Sequence, residues 1–221
     1  MNYKVEVISN SVFATNSYLI IDHQKNALLV DPSFDPKAIQ RRIEILGLKV
    51  VGILVTHAHQ DHIFSVKYFM DLYSVSVWAS EKSKELFSDR VRNLSFIGVE
   101  HFGLTETILD IPVKILEDNT TYQIENFIFK TGIYPGHSIG CTIFDFGEMM
   151  LTGDFIFKGT IGRIDWPGSN PEDMKNSLLL FKERYKAIDM PIYAGHNDVT
   201  TIQIELATNI FLLDPSHVKL L

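Results

Sequence analysis

The segment Thr56-His57-Ala58-His59-Gln60-Asp61-His62 packs three imidazoles and a carboxylate into a few residues, directly after the apolar run Val50 to Val55. A solvated loop that happens to be rich in histidine is the plain alternative. It leaves unexplained why four ligand-type side chains gather at the end of a core strand, where a ligand site is expected. His57 and His59, separated by one residue, can project the same way from an extended segment. Asp61 and His62 fall at a helix start and point to a neighbouring position. One segment can therefore serve two metal ions. Imidazole and carboxylate ligands without a thiolate suit zinc, ferrous iron or manganese, with zinc the first choice.

The elements that must hold this segment can be traced in the pattern. Lys4 to Ile8, Ser17 to Asp22 and Ala27 to Val30 read as strands, the last stopped by Asp31-Pro32. Asp35-Pro36 reads as N-cap and first helical residue, and Ile39, Ile43 and Leu46 keep helical spacing up to Gly47. Val50 to Val55 is a buried strand. From His62, the positions Ile63, Val66, Phe69, Met70 and Tyr73 trace one helical face, and Val75 to Trp78 returns as a strand, so the histidines sit in a strand-loop-helix-strand unit. Residues 80–112 are poorly periodic and read as short helix plus irregular connection. Strands resume at Val113 to Leu116, Tyr122 to Ile124, Phe127 to Thr131, Thr142 to Phe146 and Met149 to Thr152. Asn170-Pro171-Glu172 caps a helix through Met174, Leu178, Phe181, Tyr185 and Ile188; Pro191 to Ala194 is a last strand and Ile202 to Phe211 a final helix. The strand-rich halves 3–56 and 113–154, each followed by helical runs, predict an α/β fold: a single αββα sandwich spanning residues 1–221, with the site at one edge.

His-x-His-x-Asp-His after a hydrophobic strand resembles the signature of the metallo-β-lactamase superfamily. Its other elements follow in order: Asp31 before Pro32, Pro135-Gly136-His137-Ser138, Thr152-Gly153-Asp154 and Tyr193-Ala194-Gly195-His196. Any one of His137, Asp154 or His196 alone reads equally well as a capping or core polar residue; their joint order and contexts favour one site. The resemblance implies that one metal takes His57, His59 and His137, that the other takes Asp61, His62 and His196, and that Asp154 bridges them. Asp31 would support the histidine loop from behind. Two such metals, about 3.5–4 Å apart, would clamp a hydroxide nucleophile, since they lower the pKa of bound water to about 7. They would also polarise the substrate carbonyl, and no Ser-His-Asp triad is needed. Asp61 is placed to steer the hydroxide or shuttle its proton. His23, His101 and His217 lie in no such context and read as surface or structural residues.

Gly162-Arg163-Ile164-Asp165-Trp166-Pro167-Gly168 is similar to a stretch of short glyoxalase II-like hydrolases. In glyoxalase II a Lys at the position of Arg163 grips a glutathione carboxylate. Arg163 keeps the charge and can bind a carboxylate through two bonds, but an internal ion pair with Asp165 is equally open. Asp165 and Asp198 stand where that family has Tyr, and the chain ends before its C-terminal helical domain. The resemblance thus implies hydrolysis of a thioester such as S-lactoylglutathione, with the thiol carrier left open. The rival is a persulfide dioxygenase with a single iron held by two His and an Asp; a metallo-hydrolase acting on another ester or a lactone is the further alternative. The Trp166-Pro167-Gly168 continuation leans toward the hydrolases. A non-catalytic metal-binding module would be expected to lose some ligand positions, and all are filled.

With 27 acidic against 20 basic residues the net charge is −7, and no Lys/Arg cluster offers a footprint for nucleic acid. RNA-processing relatives would add a large inserted domain and a basic surface. A small-molecule substrate is expected. No apolar run spans a bilayer and the N-terminus lacks a signal-peptide core, so a soluble, cytoplasmic protein without membrane contact is expected. The lone Cys141, among Thr142, Ile143 and Phe144, reads as a packed thiol rather than a nucleophile.

Overall fold

A computed structural model of the chain describes residues 2–10 and 12–220. It runs β1 (Lys4–Ser9), β2 (Asn16–Ile21), β3 (Asn26–Val30), α1 (Pro36–Leu46), β4 (Lys49–Leu54), α2 (Gln60–Ile63), α3 (Val66–Tyr73), β5 (Val77–Ser80), α4 (Glu81–Leu86), α5 (Ser95–Phe102) and β6 (Val113–Leu116). It continues through β7 (Thr121–Ile124), β8 (Phe127–Ile133), β9 (Thr142–Asp145), β10 (Met150–Gly153), β11 (Ile156–Phe157), β12 (Thr160–Ile161), α6 (Pro171–Tyr185), β13 (Pro191–Ala194), β14 (Thr200–Thr201), α7 (Ile202–Thr208) and α8 (Ile210–Leu213), with a 3-10 turn at Pro215–Leu220.

Two six-stranded mixed sheets result. One has the order β1-β2-β3-β4-β5-β6 and the other β14-β13-β10-β9-β8-β7, while β11 and β12 form a separate hairpin. Side chains alternate across each strand. Tyr18 and Ile20 join Leu28, Val30 and Leu54 from the first sheet with Phe129, Phe144 and Leu151 from the second, filling the space between sheets. Leu19, Leu29 and Ile53 point the other way, into a layer with Ile39 and Ile43 of α1 and Phe69 of α3. Ile143, Met150 and Ile192 pack outward against Leu178 and Phe181 of α6. Each sheet is buried on both faces, which is why its central strands read as continuous apolar runs. The layers are αββα, as expected from the sequence. Among the described residues no helix is long and apolar enough to cross a membrane.

The structure departs from the expected elements where side chains seize the backbone. The helix expected from His62 to Tyr73 breaks between α2 and α3, because the Ser65 N–H donates to Pro32 O at 2.9 Å and its hydroxyl donates to Ser33 O. The final helix breaks at Asn209, whose side-chain NH₂ donates to Thr160 O at 3.0 Å and Glu205 Oε2 at 2.9 Å. Asn209 then caps α8 by accepting from the Phe211 N–H. The β11–β12 hairpin had no expectation, its strands being two residues each.

Candidate metal centre

Four strands deliver the site to one edge of the sandwich. In the first sheet β3 and β4 are parallel, with Val30 opposite Leu54, so Asp31 and the Thr56-His57 segment leave adjacent strand ends together. In the second sheet β10 and β13 are parallel, with Gly153 opposite Ala194, which sets Asp154 beside Gly195-His196. The Thr142 N–H donates to Thr56 O at 2.8 Å and ties the two sheets together at this edge. His137 arrives on the β8–β9 connection.

All seven residues singled out by motif converge here. His57, His59 and His137 form one group of donor atoms and Asp61, His62 and His196 a second, the atoms of each lying within 4.8 Å of one another. Asp154 stands between them. Its Oδ1 is 3.3 Å from His62 Nε2, and its Oδ2 is 3.5 Å from His137 Nε2 and 3.3 Å from His196 Nε2. Asp61 Oδ2 lies 3.3 Å from His196 Nε2 and 3.4 Å from His62 Nε2.

Asp31, His57 and His62 also come within ligating distance of one another. The Asp31 carboxylate is committed elsewhere: Oδ1 accepts the Thr56 N–H at 2.7 Å, and Oδ2 accepts the Thr56 hydroxyl at 2.6 Å and faces His62 Nδ1 at 2.9 Å. This fixes the His62 ring with Nε2 toward Asp61 and Asp154. His137 Nδ1 is likewise held by Arg163 O at 2.7 Å, leaving Nε2 inward.

Glycines let these groups close up. A Cβ on Gly195 would lie 2.1 Å from Asp154 Oδ1 and 2.6 Å from His62 Cε1; one on Gly162 would meet Asp154 O at 2.0 Å. The Gly before His196 and the Gly before Arg163 are thus steric requirements of the site.

Burial and charge act in opposite directions on the imidazoles. Burial pushes His57, His59 and His137 down and keeps them neutral. Burial acts the same way on His62, but the carboxylates of Asp61, Asp154 and Asp31 outweigh it and hold the ring well above the usual histidine range. His196 is raised to about 10: burial opposes, and Asp154 and Asp61 prevail. Asp154 is held well below the carboxylate range, its burial overcome by His196 and His62. Asp61 is lowered too, its burial overcome chiefly by His62 and His196. Four buried atoms of the centre, His59 Nε2, His62 Nε2, His137 Nε2 and Asp154 Oδ1, find no hydrogen-bond partner of acceptable geometry. Unsatisfied buried polar atoms are costly, and here they point at one another around a common centre, as ligands of divalent cations do. The residues fit such ions.

A cavity of about 330 Å³ opens over His59, Asp61, His137, Asp154 and His196. Its outer walls are apolar, from Phe13, Leu94, Ile97, Phe157 and Trp166, with Arg163 at the same wall. The Arg163 guanidinium is bonded to Asp165 and lies over the Trp166 ring, 4.3 Å from its centroid. Sequence reasoning missed the wall residues Phe13 and Phe157, and Thr15, whose hydroxyl donates to Asp61 Oδ2 at 2.7 Å. The available signal for Thr15 was the polar run Thr15-Asn16-Ser17 leading into an apolar strand; all three are buried. His23 and His101 are exposed and His217 is partly so, all away from the centre. Cys141 is buried in the core, and burial pushes its thiol well up.

The metallo-β-lactamase superfamily model matches residues 10–184. Among curated proteins, the chain is 33% identical to a probable metallo-hydrolase of Streptococcus pyogenes, over 94% of this chain and 90% of that one. It is 32% identical to the hydroxyacylglutathione hydrolase GloC of Haemophilus influenzae, over 94% and 97% respectively. Among solved structures, the B3 metallo-β-lactamase BLEG-1 superposes with a TM-score of 0.85 at 27% identity, covering 95% of this chain and 99% of that one. TTHA1623, solved in a di-iron-bound form, gives 0.81 at 26%, covering 94% and 100%. The matched family model, the full-length relatives and the convergent His/Asp centre agree, and the chain belongs to the metallo-β-lactamase superfamily as a metallo-hydrolase.

Proposed function

We propose that the protein hydrolyses a small-molecule thioester, of the class of S-lactoylglutathione, at a centre holding two divalent metal ions, zinc by first choice. His57, His59 and His137 would hold one ion, Asp61, His62 and His196 the other, and Asp154 both. The observation that carries this reading is the position of Asp154, whose two oxygens face imidazoles of both groups. When bound, such ions supply Lewis acidity and a water acidified to near neutral pKa.

The chain's own residues supply the rest. Asp61 stays anionic beside His62 and His196, and the Thr15 hydroxyl fixes which way its carboxylate faces. Asp31 and the Arg163 carbonyl set the faces of His62 and His137. The apolar wall of Phe13, Leu94, Ile97 and Phe157 excludes bulk water from the scissile bond and strengthens every electrostatic contact there. Arg163 stands where a substrate carboxylate would reach the wall. A centre to which both sheets contribute supports reading the chain as one domain. The thioester itself is supported by the Gly162 to Gly168 segment at the cavity and by the full-length likeness to the Haemophilus influenzae hydrolase.

The test is elemental analysis of the purified protein together with S-lactoylglutathione hydrolysis, before and after chelation and after zinc or manganese is restored. Loss and return of thioester cleavage supports the reading. Oxygen consumption with glutathione persulfide, and no thioester cleavage at any metal loading, would replace it with the dioxygenase.

A further inference from the structure

The geometry points to Asp165 as a specificity-determining residue that disfavours substrates carrying an anionic thiol half. This rests on the thioester reading above and deepens it. Among the described residues that line the cavity, Arg163 is the one Lys or Arg. Its guanidinium is not free. Nε donates to Asp165 Oδ1 at 2.9 Å and Nη2 to Asp165 Oδ2 at 2.6 Å, a side-on pair that uses one whole edge of the fork. The face of the guanidinium lies over Trp166, and the backbone carbonyl of Arg163 is fixed by His137. Lys158, next to Phe157 of the wall, is paired in turn with Asp198 at 3.1 Å.

The cation nearest the substrate is therefore neutralised in place by a carboxylate two residues along the same loop. An incoming carboxylate must displace Asp165 from the better edge of Arg163 while Asp165's own charge repels it. A neutral thiol half faces neither cost and gains the apolar wall. Arg163 and Asp165 side chains are 60% and 49% exposed, so solvent and salt screen the pair and the discrimination is modest.

The experiment compares S-lactoylglutathione with its diethyl ester, which share acyl group and scissile bond and differ in their carboxylates. The readout is the ratio of kcat/KM for the acid to that for the ester, in zinc-loaded protein. In Asp165→Asn this ratio is expected to rise about two- to fivefold, mostly through KM, and the rise should shrink at high salt. In the double variant Arg163→Ala, Asp165→Asn the rise should be absent, which separates release of Arg163 from a general change of the loop. An unchanged ratio in Asp165→Asn, with a wild-type melting temperature, overturns the assignment. Failure of wild-type protein to cleave either thioester overturns the thioester reading and the assignment with it, and is distinguishable because it precedes any comparison of variants.

Discussion

Asp31 Oδ2 lies 2.9 Å from His62 Nδ1 and also accepts the Thr56 hydroxyl, so one buried carboxylate fixes both the histidine loop and the imidazole that faces the centre. Asp31 itself adopts a left-handed backbone, φ 47°, and its N–H donates to Leu54 O, which sets the carboxylate beneath β4. In Asp31→Asn the amide can still bond Thr56 through its oxygen, but its NH₂ group cannot accept from His62 Nδ1. The His62 ring then loses its imposed tautomer. Metal affinity is expected to fall by about 10- to 100-fold, the usual cost of losing such a partner, with little change in fold. Competition titration with a chromophoric chelator measures it; wild-type affinity at both sites would show that Asp31 does not orient His62.

Gly195→Ala tests the close approach of β13 to the centre. The new Cβ would sit 2.1 Å from Asp154 Oδ1 and 2.6 Å from His62 Cε1, neither of which can move without disturbing the other. Overpacking of this kind costs about 1–3 kcal/mol, and the loss should appear in activity and metal content as well as in stability. A variant with full metal content and wild-type turnover would mean that the loop relaxes freely.

Much of this centre was legible because its residues are chemically expensive to bury and appear in a fixed order. His57, His59, Asp61 and His62 follow a strand that could be recognised by its unbroken apolar run, and β3 ends at Asp31-Pro32 for reasons visible in the sequence. What could not be read were contacts made across long separations. Thr15 meets Asp61 across 46 positions, and the polar run Thr15-Asn16-Ser17 that marks it gives no hint of that partner. The helix break at Ser65 depends on acceptors in the Pro32-Ser33 turn, and the break at Asn209 on Thr160 and Glu205. Helical periodicity continues through both, so the pattern alone joins what the tertiary contacts divide. The Arg163–Asp165 pair was foreseeable as one of two options, and the structure shows it formed.

His62→Ala separates a two-metal centre from a single-metal one. It removes one ligand of the second group and leaves His57, His59, His137 and Asp154 for the first. Metal content after reconstitution with excess zinc is expected to fall from two equivalents toward one, with activity falling by about 2–4 kcal/mol of barrier. One equivalent in both wild type and variant would rule out the binuclear reading.

The charges of the centre also predict opposite pH responses with and without metal. In metal-free protein His196 is raised from 6.5 to about 10 and His62 is raised as well, so both rings carry protons that the unfolded chain would release near pH 6.5. Groups raised on folding stabilise fully below the unfolded value and lose that contribution as pH climbs through the folded one. Asp61 and Asp154 are lowered from 3.8 and lose their contribution only in stronger acid. Burial lowers His57, His59 and His137, so below about pH 6.5 the unfolded chain takes up protons that these rings refuse, and the metal-free fold loses stability toward acid as well. Chelated protein should therefore melt at its highest temperature near pH 6.5, and progressively lower toward pH 10, by the linkage between bound protons and stability. Metal ions compete with those same protons, so metal affinity should rise across the window in which the metal-free fold weakens. The measurement is melting temperature at pH 6 and pH 9, with chelator and with excess zinc. The gap between the two curves should widen at pH 9; a gap that narrows would show that His62 and His196 are not protonated in the metal-free centre, and that the carboxylates there are balanced in some other way.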